Sequence, residues 1–318
     1  MLKKTVEIAF LFGLSTSLVG YEGTPEGSKT FAFEVGYVGL WRSPLKHLNF
    51  LYTGEGVLLN KSEISKIPYD FVSGGRAQAE VMLGQKGSIE LVYTGLFNWH
   101  RSESKTNVGY DFSVPTSPYT NINWTDFYYF HYDYHSELNS GELSYWRHVT
   151  PRYVDYFSFS WLLGLRYIDL RDTFKMNNGN GETGDNAHVH AINQMGGVQL
   201  GLEFQANATS RLTWAIQVKG GAYANFAQKK TVFYDEGNTE LLISSHPSKV
   251  EKSYTLQLVP YIIYRLNPIY FKLAYDRSIL FNPVLAPTQV KFLKNVHDIY
   301  THSYVNFQAL YASVGFYW

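Results

Sequence analysis

Ten stretches of the chain place apolar residues at every second position, the spacing that sends successive side chains to opposite faces of a β-strand. They cover 31–41, 74–84, 88–99, 135–148, 156–174, 188–205, a run that begins at Leu212, 251–265, 269–280 and 304–318. The last is the plainest: Leu310, Ala312, Val314, Phe316 and Trp318 share one face, with Ala309, Tyr311, Ser313, Gly315 and Tyr317 on the other. In the first, Phe31, Phe33, Val35, Tyr37 and Trp41 oppose Ala32, Glu34, Gly36, Val38 and Leu40. The pair 74–84 and 88–99 reads as a hairpin. Its apolar set is Ala77, Ala79, Val81, Leu83, Ile89, Leu91, Tyr93 and Phe97, against Arg76, Gln78, Glu80, Glu90, Thr94 and Asn98. Further on, Val198, Leu200, Leu202 and Phe204 alternate with Gln199, Gly201, Glu203 and Gln205. Each strand therefore meets different surroundings on its two faces.

The connections sort by length. Short ones (85–87, 149–155, 207–210, 266–268) alternate with long ones (42–73, 100–134, 175–187, 233–250, 281–302). This predicts an all-β fold, a transmembrane antiparallel up-and-down β-barrel of about ten strands with short periplasmic turns and long extracellular loops. The count becomes twelve if 50–60 and 122–132 pair as strands. An even number puts both termini at the short-turn side, with Trp318 at the periplasmic rim and 304–318 closing the barrel against 31–41. Taken alone, the last strand also fits the edge of a soluble sandwich, but a sandwich has no reason to segregate its loops by length. Pro260 sits inside a strand and removes a ladder donor, so a bulge is expected there.

Composition agrees with a lipid-facing exterior. Aromatics and charged residues each make up 17 per cent of 318 residues, and the 26 Tyr and 7 Trp suit a membrane–water boundary. Residues 1–20 read as a secretory signal peptide, Lys3 and Lys4 preceding an apolar core from Ile8 to Leu14, with Ser15 and Ser17 or Gly20 marking alternative cleavage positions. Glu7 is an unwelcome charge there, and a buried first helix is the other reading. The barrel domain is then 21–318, with 25 basic and 26 acidic residues once Lys3, Lys4 and Glu7 are removed. That balance argues against a nucleic-acid partner. The absence of cysteine removes thiol catalysis, disulfides and Cys-based zinc sites. No segment holds about 18 continuous apolar residues, so helical membrane spans are not expected.

With the apolar face toward lipid, the other face lines the interior. Its charged members are Glu34, Arg76, Glu80, Glu90, Glu142, Arg166, Glu203, Lys219, Arg265, Lys272 and Asp276, six acidic and five basic. Barrels of this strand number have interiors filled by side chains. The set reads as a charge-paired plug, and alternatively as a permeation path lined by mixed charge. On the closing strand the lipid face is Leu310, Ala312, Val314, Phe316 and Trp318. Some ten-stranded barrels are surface proteases that use acidic and histidine residues at the outer rim, which makes His100, His131, His135, His188, His190, Asp126, Asp133 and Asp185 candidates. No local motif pairs them, so the chain reads as a non-enzyme. His188 and His190 share a strand face as a metal half-site with no third ligand in view, and no metal or cofactor is expected. The Tyr- and Phe-rich run 127–134 reads as part of the aromatic girdle above the bilayer, or as an adhesive loop.

Several stretches resemble the outer-membrane β-barrel family abundant in planctomycetes, related in pattern to the pore-forming major outer-membrane proteins of Legionella. They are Gly74–Ala79, Ser88–Trp99, His135–Ser144, Leu162–Leu170, Gly197–Glu203, Val218–Tyr223 and Val284–Gln289, in the expected order through most of the mature chain. The chain departs in a tyrosine-rich insertion around 119–134. The resemblance implies a barrel and a bacterial outer-membrane address, and little about any solute. The terminal aromatic with alternating apolar residues behind it also resembles the signal that such barrels present to their assembly machinery. The expected partners are therefore outer-membrane lipid, lipopolysaccharide and that machinery. The expected role is structural or surface-interacting, with a porin-like channel for small solutes as the alternative.

Overall fold

A computed structural model describes residues 31–43, 71–84, 86–115, 121–149, 156–179, 184–234, 241–290 and 298–318. The expected signal peptide and the 50–60 strand lie outside these. Among the described residues eleven strands form: β1 (Phe31–Arg42), β2 (Val72–Met82), β3 (Gly87–Pro115), β4 (Asn121–His148), β5 (Phe157–Gly179), β6 (Gly184–Asn207), β7 (Leu212–Tyr234), β8 (Leu241–Ser245), β9 (Ser248–Leu266), β10 (Ile269–Phe281) and β11 (Tyr304–Tyr317). One short helix, α1 (Ala286–Val290), precedes β11. Ten strands close a ring through β6–β7 and through β1–β11, where Ala32 pairs with Tyr317 and Arg42 with Phe307. Every pairing is antiparallel, and β8 only extends the upper end of β7.

The exterior divides in two. From the short turns upward, large apolar side chains face out: Phe33, Leu91, Leu163, Leu200, Ile216, Leu256, Leu273 and Leu310 among others. On the closing strand Leu310, Ala312, Phe316 and Trp318 are exposed and Val314 half-buried. Tyr37, Tyr93, Tyr167, Tyr254 and Tyr275 cap this belt, their amphipathic rings suited to the headgroup level. A closed ring leaves no unpaired strand edge in hydrocarbon, so a barrel with such a belt spans a bacterial outer membrane.

Above the girdle the phase of the alternation inverts. On β5 the exposed face changes from Phe157, Phe159, Trp161, Leu163, Leu165 and Tyr167 to Asp169, Arg171 and Lys175, while Ile168, Leu170, Phe174 and Met176 turn inward and are buried. β6 does the same, with Val198–Phe204 apolar outside and Ala187, Val189, Ala191 and Met195 apolar inside. Water replaces lipid outside the wall, so the hydrophobic effect draws the apolar side chains into the barrel.

Several expectations change for this reason. Residues 100–134 are not an irregular loop: β3 and β4 stay paired up to Pro115 and Asn121, so 122–132 belongs to β4. Likewise 175–187 continues β5 and β6 to a connection at 180–183, and 233–250 contains β8 and the start of β9. Tyr132 and Tyr134 are neither girdle nor adhesive surface, being buried inside the extension. Phe97 faces the lumen and Asn98 faces out, reversing the expected parity. The cause is a bulge between Thr94 and Phe97, where Leu96 takes φ 68°. Asn139 Oδ1 stabilises it by accepting from Tyr93 Oη at 2.9 Å and the Leu96 N–H at 3.1 Å. No bulge forms at Pro260: the β7–β9 register passes through it unshifted, and β9–β10 merely skips the pairs between Ala274–Tyr261 and Arg277–Leu258. The missing N–H removes a rung, and the intact ladders on each side hold the register.

Candidate functional site

Alternation on ten tilted strands delivers the polar face to one axial space, and all eleven charged residues expected there line it. Glu34, Glu80, Glu90, Glu142, Glu203 and Lys219 are buried, while Arg76, Arg166, Arg265, Lys272 and Asp276 are half-buried. Towards the short turns, Glu34 accepts from Ser313 Oγ at 2.8 Å and Tyr270 Oη at 3.1 Å, with Lys272 Nζ at 3.6 Å. Glu203 accepts from Tyr261 Oη at 2.7 Å and Gln205 Nε2 at 2.7 Å. Ser88 donates to Glu80 at 2.6 Å and also meets His148, whose other ring nitrogen meets Ser160.

Midway, Glu142 is the hub. Lys219 Nζ lies at 2.9 Å, Gln199 Nε2 at 3.0 Å and Arg166 Nε at 3.4 Å. Arg76 donates to Thr94 at 3.3 Å and Gln78 at 2.9 Å and lies over the Tyr311 ring. Asp276 accepts from Gln257 at 2.5 Å. The network is thus only partly charge on charge: amides and hydroxyls carry much of it. Arg76 Nε, Asp276 Oδ1 and Gln199 Oε1 in this layer are buried with no hydrogen-bond partner among the described residues.

Arg76 and Tyr311 form a septum between two spaces. Below lies a polar chamber bounded by Glu34, Glu80, Glu90, Glu203, Arg265 and Lys272. Above lies a chamber with Val38, Leu40, Phe97, Ile168, Leu280 and Phe307 on its walls and Arg76, Glu142, Arg166 and Asp276 in its floor.

The extension is filled differently. Within the segment expected as the last extracellular loop, residues 282–290 fold into the barrel, burying Val284, Leu285, Ala286 and Gln289. Asn193 clamps it, donating to the Val284 carbonyl at 2.7 Å and accepting the Val284 N–H at 2.6 Å. Arg42 and Asp172, which the sequence reading did not single out, meet across the interior at 3.1 and 3.2 Å with side chains 0 % exposed. Ser136 and Tyr134 complete the cluster. Asp172 shares parity with Leu170 and Phe174, the signal that could have placed it inside.

The rim histidines stand on the outer wall above the girdle. His100 is 3.6 Å from Asp133 and His135 is 3.1 Å from Glu137, while His131 meets Ser104 and His190 meets Thr173, each at 2.8 Å. Burial, then Lys175, holds the His188 pKa below the ordinary imidazole value, and burial, then Arg171, does so for His190. Among the described residues no three His, Asp or Glu come together as a metal site. The side chains of Asp126 and Asp185 lie outside the described set.

No family model matches the chain, and no curated protein matches it in sequence. Among solved structures it is similar to the outer membrane protease OmpT of Escherichia coli, at 9 % identity and TM-score 0.41 over 93 % of this chain and 99 % of that one. It is similar to OprG of Pseudomonas aeruginosa at 11 % identity and TM-score 0.31 over 90 % and 96 %, and to the toluene transporter TbuX of Ralstonia pickettii at 6 % and 0.33 over 91 % and 89 %. Likeness at this level leaves the chemistry of this chain open.

Proposed function

We propose that the protein is an outer-membrane barrel with a closed interior, acting as a structural and surface-interacting element rather than as an open pore. The observation that carries this reading is the double closure of the axis, by the hydrogen-bonded network around Glu142 and by the inserted segment clamped on Asn193. Its outer surface would meet lipid and lipopolysaccharide, and β11 would engage the assembly machinery. Kinship with the planctomycete-abundant barrels belongs to this proposal and rests on the order of the segments quoted above. A conducting role is the second reading, favoured by the two chambers that lie in series along the axis.

Planar-bilayer recording of the refolded protein separates the two. A closed barrel gives no steady current. Well-defined open channels, altered by Glu142→Ala, would overturn the proposal and establish the pore.

A further inference from the structure

We propose that the outer wall of β5–β7 above the tyrosine girdle holds a phosphate on the sugar core of an outer-leaflet lipopolysaccharide, between Lys175 and Lys230. The strand register assembles the site. On this wall Lys175 stands opposite His188, Thr173 opposite His190, and His190 opposite Lys230. The two lysines thus flank the imidazole pair diagonally across β6 and line one open groove with it. Neither lysine has an ion-pair or hydrogen-bond partner among the described residues. Asp133, the carboxylate opposite Lys175, lies 3.6 Å from His100, and Glu137 meets His135. Among the described residues β6 and β7 place no carboxylate on this wall, and Asp169 on β5 is already paired with Arg171.

A phosphate answers that surplus of positive charge, because its oxygens accept hydrogen bonds and carry the countercharge. Two flexible four-carbon stems can converge on it over β6, with the imidazoles between them. Thr173 Oγ1 meets His190 Nδ1 at 2.8 Å, so a hydroxyl donating there leaves the ring proton on Nε2 as a further donor. The charges acting on His188 come from Lys175, His190 and Lys230, all of them basic, and an anion relieves their repulsion. Height selects the carrier of the phosphate. Thr173 is six residues beyond the girdle residue Tyr167, about 20 Å along β5 and about 15 Å along the axis for strands tilted by about 40°. A phospholipid head-group layer is only about 5–8 Å deep on each side, so its phosphate stays below this row. A glycolipid phosphorylated on its core sugars reaches it, with acyl chains on the belt that the same strands present in Leu163, Leu200 and Ile216. The inference rests on the reading that the outer surface meets lipopolysaccharide, and it names the place.

The test follows the anisotropy of fluorescently labelled lipopolysaccharide, phosphorylated on its core, as the full folded barrel is added in neutral maltoside micelles, with protein-free micelles as the blank. Saturable binding is expected. The double variant Lys175→Gln, Lys230→Gln should bind about tenfold more weakly, as the loss of two solvent-exposed ion pairs implies. An equal loss of charge at the short turns, Lys86→Gln with Arg211→Gln, should leave the affinity unchanged, and both variants should keep their heat-modifiable migration. Lipopolysaccharide dephosphorylated with hydrofluoric acid should bind the wild type as weakly as the intact form binds the lysine variant. The His188 and His190 titration midpoints, read by NMR, should rise with intact lipopolysaccharide and not with the dephosphorylated form. Undiminished affinity of the lysine variant, or of the dephosphorylated glycolipid, overturns the site while leaving the surface-interacting reading in place. Phosphatidylglycerol or inorganic phosphate competing as well as intact lipopolysaccharide would assign the row to a phospholipid or a soluble anion and overturn the glycolipid. The closed lumen is tested separately, by conductance.

Discussion

Asp172→Ala isolates what a buried ion pair contributes to the part of the barrel above the membrane. The substitution removes two contacts with Arg42, at 3.1 and 3.2 Å, and the bond from Ser136 at 2.6 Å. It leaves the Arg42 guanidinium, 0 % exposed, without the Asp172 carboxylate. Breaking one half of a buried pair costs about 3–5 kcal/mol, a factor of roughly a hundred or more in the folded-to-unfolded ratio. The same strand supplies its own control. Arg171 and Asp169 are also paired, at 2.8 Å, but on the outer wall with the Arg171 side chain 47 % exposed, and Arg171→Ala should cost about 0–1 kcal/mol. The double change Arg42→Met with Asp172→Leu removes both charges and should lie within about 1–2 kcal/mol of wild type, since apolar replacements often match buried pairs. Guanidinium chloride unfolding in micelles, followed by tryptophan fluorescence, ranks the three variants. The reasoning fails if Asp172→Ala shifts the midpoint no more than Arg171→Ala, or if the double variant is as unstable as Asp172→Ala.

Neighbouring glycines on β6 should respond in opposite directions. A Cβ on Gly197 would sit 2.1 Å from the Ala222 carbonyl oxygen, so Gly197→Ala should cost about 1–3 kcal/mol, whereas Gly196 has open space and Gly196→Ala should gain about 0.5–1 kcal/mol; denaturant midpoints would show it. Asn193→Leu strips the Val284 N–H and carbonyl of their partners, a cost of about 1–3 kcal/mol for each group left unsatisfied, and limited proteolysis should then cut within 282–303; continued resistance would show the clamp to be dispensable. The folded His188 and His190 pKa values lie below the ordinary value, so the unfolded chain binds more protons between the two. Their contribution to stability is complete above about pH 6.5 and is lost as pH falls through the lowered folded values. Amide protection factors at the upper ends of β5–β7, that is exchange rates divided by the intrinsic rate at each pH, should therefore fall from pH 7.5 to pH 5, and less so in a His188→Gln, His190→Gln variant; pH-independent protection would contradict this.

Where lipid supplies the contrast, the sequence is easily read. Leu310 to Trp318 and Leu163 to Tyr167 alternate against small or polar partners, and parity alone puts Glu142, Glu203 and Lys219 in the lumen. Two physical effects hide the rest. Above Tyr167 the apolar residues change parity because water replaces hydrocarbon outside, so a search for a lipid face ends each strand too early and leaves 100–134 looking like a loop. At Gly95–Leu96 a bulge adds one residue, and the side chains just beyond it, Phe97 and Trp99 included, change face. Parity with Leu170 and Phe174 places Asp172 inside, but neither its pairing with Arg42 nor the Asn193 clamp has a local signature, since the partners lie 130 and 91 residues away in the chain.

The same change of surroundings explains why the barrel is closed by two chemistries. Within the bilayer there is no hydrophobic gain from drawing apolar groups inward, because hydrocarbon already solvates them. Directional bonds must then fill the lumen, and the Glu142, Glu34 and Glu203 networks do so. Above the girdle the outside is water, and Phe174, Met176, Val189, Phe233 and Leu285 collapse into an ordinary apolar core. The upper chamber lies where one solution gives way to the other. There Arg76, Glu142, Arg166 and Asp276 line the same space as Val38, Leu40, Phe97 and Phe307, so the hydrogen-bonded lumen and the apolar core meet at one level of the barrel.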